Sequence, residues 1–331
     1  MQMKAVIGLT YDLRDDYIAA GMGPEQAAEF DSRETIDLLE RAIASLGYRT
    51  DRIGHAKALA GRLVKADQWD LVFNIAEGVS GRGRESQVPC LLELYGIPYT
   101  FSDPLVCATT LDKAVAKRLV RAAGLHTADY ALVVEPDDCR NVNLQYPLFV
   151  KPLAEGTSKG IDGRSRIGSP GQLHKTCQAL LEQFRQPVLV EEYLPGREFT
   201  VGLLGGGPDA RVLGIMEVAM RHGGELIYSY ETKERCEELI NYTRASDDPL
   251  APALREMALG AYRALELRDG GRVDLRCDRA GRPCFIEANP LPGLHPTHSD
   301  LPMIATQEGM DYPTLLGSII DAAWSRHGGK P

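Results

Sequence analysis

The sequence predicts an α/β protein that opens with a small parallel sheet and continues as α+β. Three observations carry this expectation. Two short apolar runs, Lys4-Ala-Val-Ile-Gly-Leu9 and Leu71-Val-Phe-Asn-Ile75, flank a helix signal, and strand, helix, strand in that order builds parallel strands with helices on their faces. From about Leu148 onward the pattern becomes a series of short strands bounded by Gly, Pro or Asp. The chain of 331 residues also exceeds the usual size of one domain, so several compact units sharing one site are expected.

Taken in order, the first apolar run is suited to a buried strand. A helix is expected from Asp31, where Asp31 and Glu34 have capping-box spacing, Ile36, Leu39, Ile43 and Leu46 form one apolar stripe, and Gly47 supplies a stop. The second strand runs into the glycine-rich loop from Glu77 to Glu85. Ser102-Asp103-Pro104 starts a further helix, with Pro at its first position, that Gly124 ends. Units are expected over residues 1–103, 104–190 and 191–331.

In the later part, Leu148–Lys151, Val188–Glu192, Phe199–Leu204, Val212–Glu217, Arg272–Leu275 and Cys284–Ala288 read as strands. Asp278-Arg-Ala-Gly281 joins the last two as an antiparallel hairpin. Helices at about Leu250–Leu265 and Tyr312–Trp324 are expected to flank this strand-rich region.

Composition narrows the function classes. A formal net charge of −9 and pI near 5.4 argue against nucleic acid or a membrane surface as partner, since both attract clustered Lys and Arg. The first apolar run meets Asp12 and Arg14 almost at once, unlike a signal peptide, and no window has the length of a membrane span. The seven cysteines are scattered, odd in number and never in CxxC, which disfavours disulfide frameworks and zinc sites. Reduced thiols in the cytoplasm and small-molecule chemistry are expected. A Rossmann oxidoreductase is excluded because no GxGxxG follows the first strand.

Three segments carry chemistry. In Phe149-Val-Lys-Pro-Leu-Ala-Glu-Gly-Thr-Ser-Lys-Gly-Ile161 a strand delivers Lys151, and the following loop places Gly156 and Gly160 around Thr157 and Ser158. Backbone N–H groups and hydroxyls in such a loop can close on phosphate oxygens. Arg272-Val-Asp274 pairs through the hairpin with Glu287-Ala-Asn289. Glu287 and Asn289, two apart on a strand, share a face, and Asp274 falls opposite or diagonal to Glu287, a seat of three oxygen ligands for Mg²⁺. The third segment, Val188-Leu-Val-Glu-Glu-Tyr-Leu-Pro-Gly-Arg-Glu-Phe199, can offer unpaired backbone groups at Glu191 to Leu194 to an adenine edge, with Glu198 accepting from ribose hydroxyls.

Together these segments resemble the ATP-grasp superfamily, and the chain is similar to its D-alanine:D-alanine ligase family from about residue 70 to 325. The motifs are Gly96-Ile-Pro-Tyr99, Leu111-Asp-Lys113, Phe149-Val-Lys-Pro152 with Glu155-Gly156, Val190-Glu191 through Glu198, Arg272-Val-Asp274, Glu287-Ala-Asn289 and Pro292-Gly293. The resemblance implies an ATP-grasp fold, in which a Rossmann-like domain precedes two α+β subdomains that sandwich ATP. It implies that Lys113 and Lys151 contact ATP phosphates, that Glu155, Gly156, Thr157 and Ser158 form the phosphate-closing loop, and that Glu191, Glu192, Tyr193, Leu194 and Glu198 hold adenosine. It further implies Mg²⁺, or alternatively Mn²⁺, on Asp274, Glu287 and Asn289. Arg272 and the Gly293 N–H would stabilise the oxyanion, Lys233 would sit on a mobile loop over the phosphates, and Ser299 matches a substrate-binding serine. Small amino acids as substrates and a homodimer are implied in the same way.

The departures from the family pattern fall on the amino-acid side. The glutamate that follows the first strand in the family is absent, with Asp12, Glu29 and Asp31 as alternatives. Glu77 stands where a histidine is expected, Glu234 replaces a tyrosine after Lys233, and the loop Leu294–Asp300 is one residue longer. Ordinary loop hydrogen bonding is the expectation for His295 and His298. The implied activity is formation of a dipeptide-like amide through an acyl phosphate. The alternatives are a ligase acting on one partner that is not an amino acid, and a non-catalytic nucleotide-binding module.

Overall fold

The computed structural model describes residues 5–221 and 236–329. A three-stranded parallel sheet comes first, with β1 (Val6–Thr10) between β2 (Arg49–Gly54) and β3 (Leu71–Asn74). Ile7 and Leu9 of β1 are fully buried, and Gly8 between them leaves room for Ile53 and Trp69 to press against the backbone. The helices of this part are α1 (Arg14–Ala19), α2 (Arg33–Ser45), α3 (Ala56–Val64) and α4 (Gln87–Leu94).

Two further helices, α5 (Pro104–Leu111) and α6 (Lys113–Ala122), lead into a four-stranded antiparallel sheet ordered β4 (Tyr130–Val133), β7 (Val188–Glu192), β5 (Leu148–Pro152), β6 (Arg166–Ile167), with α7 (Pro170–Phe184) before β7. The third sheet is antiparallel and five-stranded: β10 (Ile240–Arg244), β9 (Arg211–Met220), β8 (Glu198–Leu204), β11 (Gly270–Cys277), β12 (Pro283–Asn289). Its helix α8 (Ala251–Ala264) buries Leu254, Ala258, Ala261 and Tyr262 on Phe199, Val201, Val273 and Phe285. The chain continues through α9 (Asp300–Gln307) and α10 (Tyr312–Arg326).

The expected strands are present, and three details differ from the sequence reading. Ser32, not Asp31, caps α2, its hydroxyl accepting from the Thr35 amide at 3.1 Å. The single helix expected from Pro104 to Gly124 is two helices. Asp112 takes an extended backbone conformation and its carboxylate accepts from the Val115 amide at 3.0 Å, ending α5 and capping α6. The C-terminal helix does not flank the strand-rich region alone: Leu315, Leu316, Ile319, Ile320 and Trp324 share one core with Ile7, Leu9, Ile36, Leu39 and Ile43. Each such aliphatic side chain contributes about 2 kcal/mol on burial, so α10 is a structural part of the first sheet's core.

Candidate active site

A cleft lies between the four-stranded and five-stranded sheets. It is lined by the apolar side chains Ala128, Phe149, Leu194, Val218 and Ile286 and, where it meets a second cavity, by charged residues that include Lys113, Arg272 and Glu287, with Lys151 and Asp274 also in its lining. Lys151 leaves β5 and meets Glu191 of β7, Nζ to Oε2 3.0 Å. Lys117, four residues after Lys113 on α6, also pairs with Glu191 and donates to the Thr127 hydroxyl at 2.6 Å. Both lysines and Glu191 are buried. Burial raises the Glu191 carboxyl, but Lys117 and Lys151 outweigh it and leave Glu191 at about 2. Burial pulls both lysines down. Glu191 and Glu287 more than compensate at Lys151, which ends raised, whereas Lys117 remains lowered.

The opposite wall is the β11–β12 hairpin. Asp274 and Glu287 are directly paired in its register, and a bulge follows Asp274. Asp274 accepts from the Thr200 hydroxyl at 3.0 Å and from the Asn289 side-chain amide at 3.2 Å, which gathers Asp274, Glu287 and Asn289 at one place. Burial first, then Glu287 and Asp300, push Asp274 up to about 6 against the pull of Arg272. Burial acts likewise on Glu287, but Lys113, Lys151 and Arg272 hold it at about 2. Lys113 reaches across to this wall, 3.3 Å from the Glu287 carboxylate. Two paired carboxylates and an amide oxygen are hard donors of the kind Mg²⁺ or Mn²⁺ takes, and the mutual repulsion at Asp274 is what a cation there would relieve. Among the described residues no three His, Cys, Asp or Glu side chains could hold a metal by themselves, so such a seat needs Asn289 and further oxygens from a ligand.

The loop after β5 is held in an unusual shape. Thr157 and Ser158 both have left-handed backbones (φ 50° and 56°), as does Gly160 (φ 72°), where a Cβ would come within 2.7 Å of Phe184. Its anchor was not legible in the sequence. Glu29, buried, accepts from the Gly156 amide at 2.7 Å and pairs with Lys159 at 3.0 Å and Arg84 at 3.1 Å. Glu155 pairs with Lys159, and its backbone carbonyl accepts from Lys113 at 2.5 Å.

The run from Glu191 to Leu194 differs from expectation. The Glu192 and Tyr193 amides are already donated to Asp129 O (2.9 Å) and Pro147 O (3.0 Å), because the strand end is wrapped by the segments before β4 and β5. Of these amides outside the strand, Leu194 alone has no partner among the described residues. Glu198 pairs with Arg276 at 3.1 Å, and Arg276 also donates to the Tyr193 hydroxyl at 2.9 Å. Burial, then Asp274 and Glu287, push Glu198 up to about 7.

Beyond the charged end, the cleft opens into this second cavity, of about 600 Å³. Lys113, Glu155, Thr157, Arg272, Glu287 and Asp300 line both spaces. Arg272 stands at the junction, paired with Asp300 and 3.6 Å from Asp274. Gly293 and Ser299 face each other on the cavity wall, where a Cβ on Gly293 would meet the Ser299 hydroxyl at 2.8 Å. Ser299 Oγ accepts from the His295 amide at 3.0 Å, and the His295 and His298 rings lie 4.5 Å apart. Of the three alternatives near the first strand, Asp12 is taken up by the Tyr17 hydroxyl and the Gly78 amide, Glu29 by the loop, and Asp31 lines the cavity. Lys233 and Glu234 lie outside the described residues.

The sequence profile described as D-ala D-ala ligase C-terminus matches residues 119–321. A D-alanine--D-alanine ligase of Aquifex aeolicus is 32% identical over 300 residues, 90% of this chain and 98% of that one. An uncharacterized protein of Sinorhizobium fredii is 34% identical over 268 residues, 78% of this chain and 76% of that one. The fold is also that of the VanG D-Ala:D-Ser ligase from Enterococcus faecalis (TM-score 0.74, 21% identity, 97% and 100% of the two chains). It is equally that of a D-alanine--D-alanine ligase from Bacillus anthracis complexed with ATP (TM-score 0.72, 21% identity, 99% of each chain). With a profile spanning most of the chain and a relative matched over nearly its whole length, this protein belongs to the D-alanine--D-alanine ligase family of ATP-grasp enzymes.

Proposed function

We propose that this protein uses ATP to join two amino acids through an amide bond, with an acyl phosphate as intermediate. The observation that carries the reading is the 3.3 Å approach of Lys113 to Glu287, with Lys151 also acting on Glu287, which sets a lysine pair against a carboxylate pair at the mouth of an apolar slot. The slot between Ala128, Phe149, Leu194, Val218 and Ile286 suits an adenine ring, and the charged end suits a polyphosphate.

Asp274, Glu287 and Asn289 would hold Mg²⁺ or Mn²⁺, whose charge would offset that of the phosphates. Lys113 and Lys151 orient the terminal phosphate toward the second cavity, where the carboxylate of the first amino acid attacks it in line and ADP departs. Arg272, at the junction of the two spaces, faces the acyl phosphate as the amine of the second amino acid attacks its carbonyl carbon. Arg272 and the Gly293 N–H offer donors to the oxyanion, and phosphate leaves. The loop from Glu155 to Ser158 shields the acyl phosphate from water, Ser299 contacts the second substrate, and Lys233 contributes from the segment that follows β9. Glu191, held by two lysines, positions Lys151, while Glu192, Tyr193, Leu194 and Glu198 line the nucleoside end. The protein acts as a cytoplasmic homodimer on small-molecule substrates.

The test is ADP release in the presence of Mg²⁺ and paired amino acids, with product masses read by mass spectrometry. A condensation product one water lighter than its two amino acids is expected. Phosphate release that needs no second amine would overturn the amide-forming assignment.

A further inference from the structure

The second cavity carries more negative charge than a small neutral amino acid can use. Glu85 is 8% exposed, lines the cavity, and has neither a hydrogen bond nor an ion pair with any described residue. The side-chain carboxyls of Glu77 and Asp31 line the same cavity, also without a hydrogen bond or ion pair to a described residue. The cations nearby are already engaged. Arg84 is bound to Glu29 and the Ala154 carbonyl, Arg14 donates to the Ala28 and Phe30 carbonyls, and Lys113 faces Glu287. Glu29, the remaining buried acid of this wall, is neutralised by Arg84 and Lys159.

Three carboxyl groups therefore face one space, and among the described residues no cation is paired with any of them. Leaving charges buried and unpaired is costly. The strain is visible in their titration: burial, followed by neighbouring carboxylates, raises Glu77, and burial raises Glu85 and Asp31 to about 7 despite the opposing pull of Arg84 and Arg14. One substrate ammonium would satisfy one of the three. The attacking amine satisfies none, because it must be neutral to react.

We infer that one of the two substrates is a basic amino acid, whose side-chain cation is held by Glu85 and Glu77 in the second cavity. The inference rests on the ligase reading and names the substrate class of that same site. A cavity of about 600 Å³ has room for two amino acids, one with a long side chain. Leu111 and Ala28 line the same cavity and offer apolar surface along which the methylenes of a long stem can pack.

The experiment compares kcat/KM, by ADP release, for lysine and arginine against norleucine and glutamine, each offered with a pool of small amino acids. The same comparison is made for Glu85→Gln and Glu77→Gln. We expect the basic members to be preferred by at least about tenfold, since a site built around a charge rejects analogues lacking it. That ratio should fall at least about fivefold in each variant, the loss of one of two charge contacts. Equal use of norleucine and lysine by the unaltered protein overturns the substrate class while leaving the ligase assignment standing, and this comparison does not depend on either variant folding. Absence of turnover with every amino acid, in protein that still binds a non-hydrolysable ATP analogue with Mg²⁺, overturns the ligase assignment and this inference with it. An unchanged ratio in both folded variants would overturn the role of these two carboxylates.

Discussion

Glu29 accepts a hydrogen bond from the Gly156 amide at 2.7 Å, across 127 positions of sequence. This contact ties the segment between α1 and α2 to the loop after β5. Because Arg84 and Lys159 converge on the same carboxylate, the loop's position depends on a buried charge cluster rather than on its own turn geometry. Burial raises Glu29, but these cations and the Gly156 amide bring its pKa below the ordinary value.

Glu29→Gln should therefore leave two buried cations short of a counter-charge. The expected loss of stability is about 3 kcal/mol, read as a lower midpoint in urea unfolding, together with a higher KM for ATP. A variant as stable as the parent would show that the cluster contributes little.

Lys151 and Lys117 share Glu191 but face different surroundings, since Lys151 lines the cleft and Lys117 is sealed from it. Lys151→Met should lower kcat/KM for ATP by roughly 100-fold, the loss of one preorganised charge at a phosphate. Lys117→Met should act mainly on stability, again by about 3 kcal/mol, by leaving Glu191 a single partner. Equal kinetic defects in the two variants would contradict this division.

Asp274 titrates at about 6 when folded, above the ordinary value of 3.8. An acid raised on folding favours the native state at low pH, and that contribution is lost as pH rises from about 4 through 6. Without nucleotide or metal, Asp274→Asn should accordingly be more stable than the parent at pH 7, on the order of 2 kcal/mol. A cation requires the ionised form, so the apparent affinity for MgATP should fall as pH drops through about 6 in the parent. Urea unfolding of the two proteins at pH 7 checks the first, and isothermal titration of MgATP from pH 5 to 8 the second; a flat affinity profile would remove Asp274 from the metal seat.

Gly160 has φ 72° and a Cβ there would meet Phe184 at 2.7 Å and Pro152 at 2.8 Å, whereas nothing lies within 4 Å of a Cβ on Gly163. Gly160→Ala should cost about 1–3 kcal/mol and raise KM for ATP. Gly163→Ala is the control, with little change in either thermal midpoint or KM.

The facing of Asp274 and Glu287 at the hairpin was legible because a strand period of two and a short turn are enough to oppose them. The buried strands of the two antiparallel sheets were equally plain from apolar runs between glycines and prolines. Strands β2, β4, β6 and β10 were not, and β6 is only the pair Arg166–Ile167. Arg49–Gly54 and Ile240–Arg244 alternate with charged or polar residues whose partners, such as Glu40 and Asp37 for Arg52, are set only by the tertiary fold. Lys117, and the role of Glu29 as anchor of the loop after β5, escaped notice for a related reason. A buried ion pair leaves no periodic trace, although the spacing of four from Lys113 to Lys117 places both on one helix face. The amides of Glu192 and Tyr193 looked available because their acceptors, Asp129 and Pro147, come from distant segments.

The return of α10 to the first sheet makes the opening lobe depend on the closing helix. Its apolar face completes the core of β1 and α2, and Arg326 fastens it to the carbonyls of Tyr99 and Phe101 and to Asp269. Until α10 is seated, the strands of the first sheet and Ile36 and Leu39 of α2 lack part of their apolar cover, so removing that helix would loosen the opening lobe first.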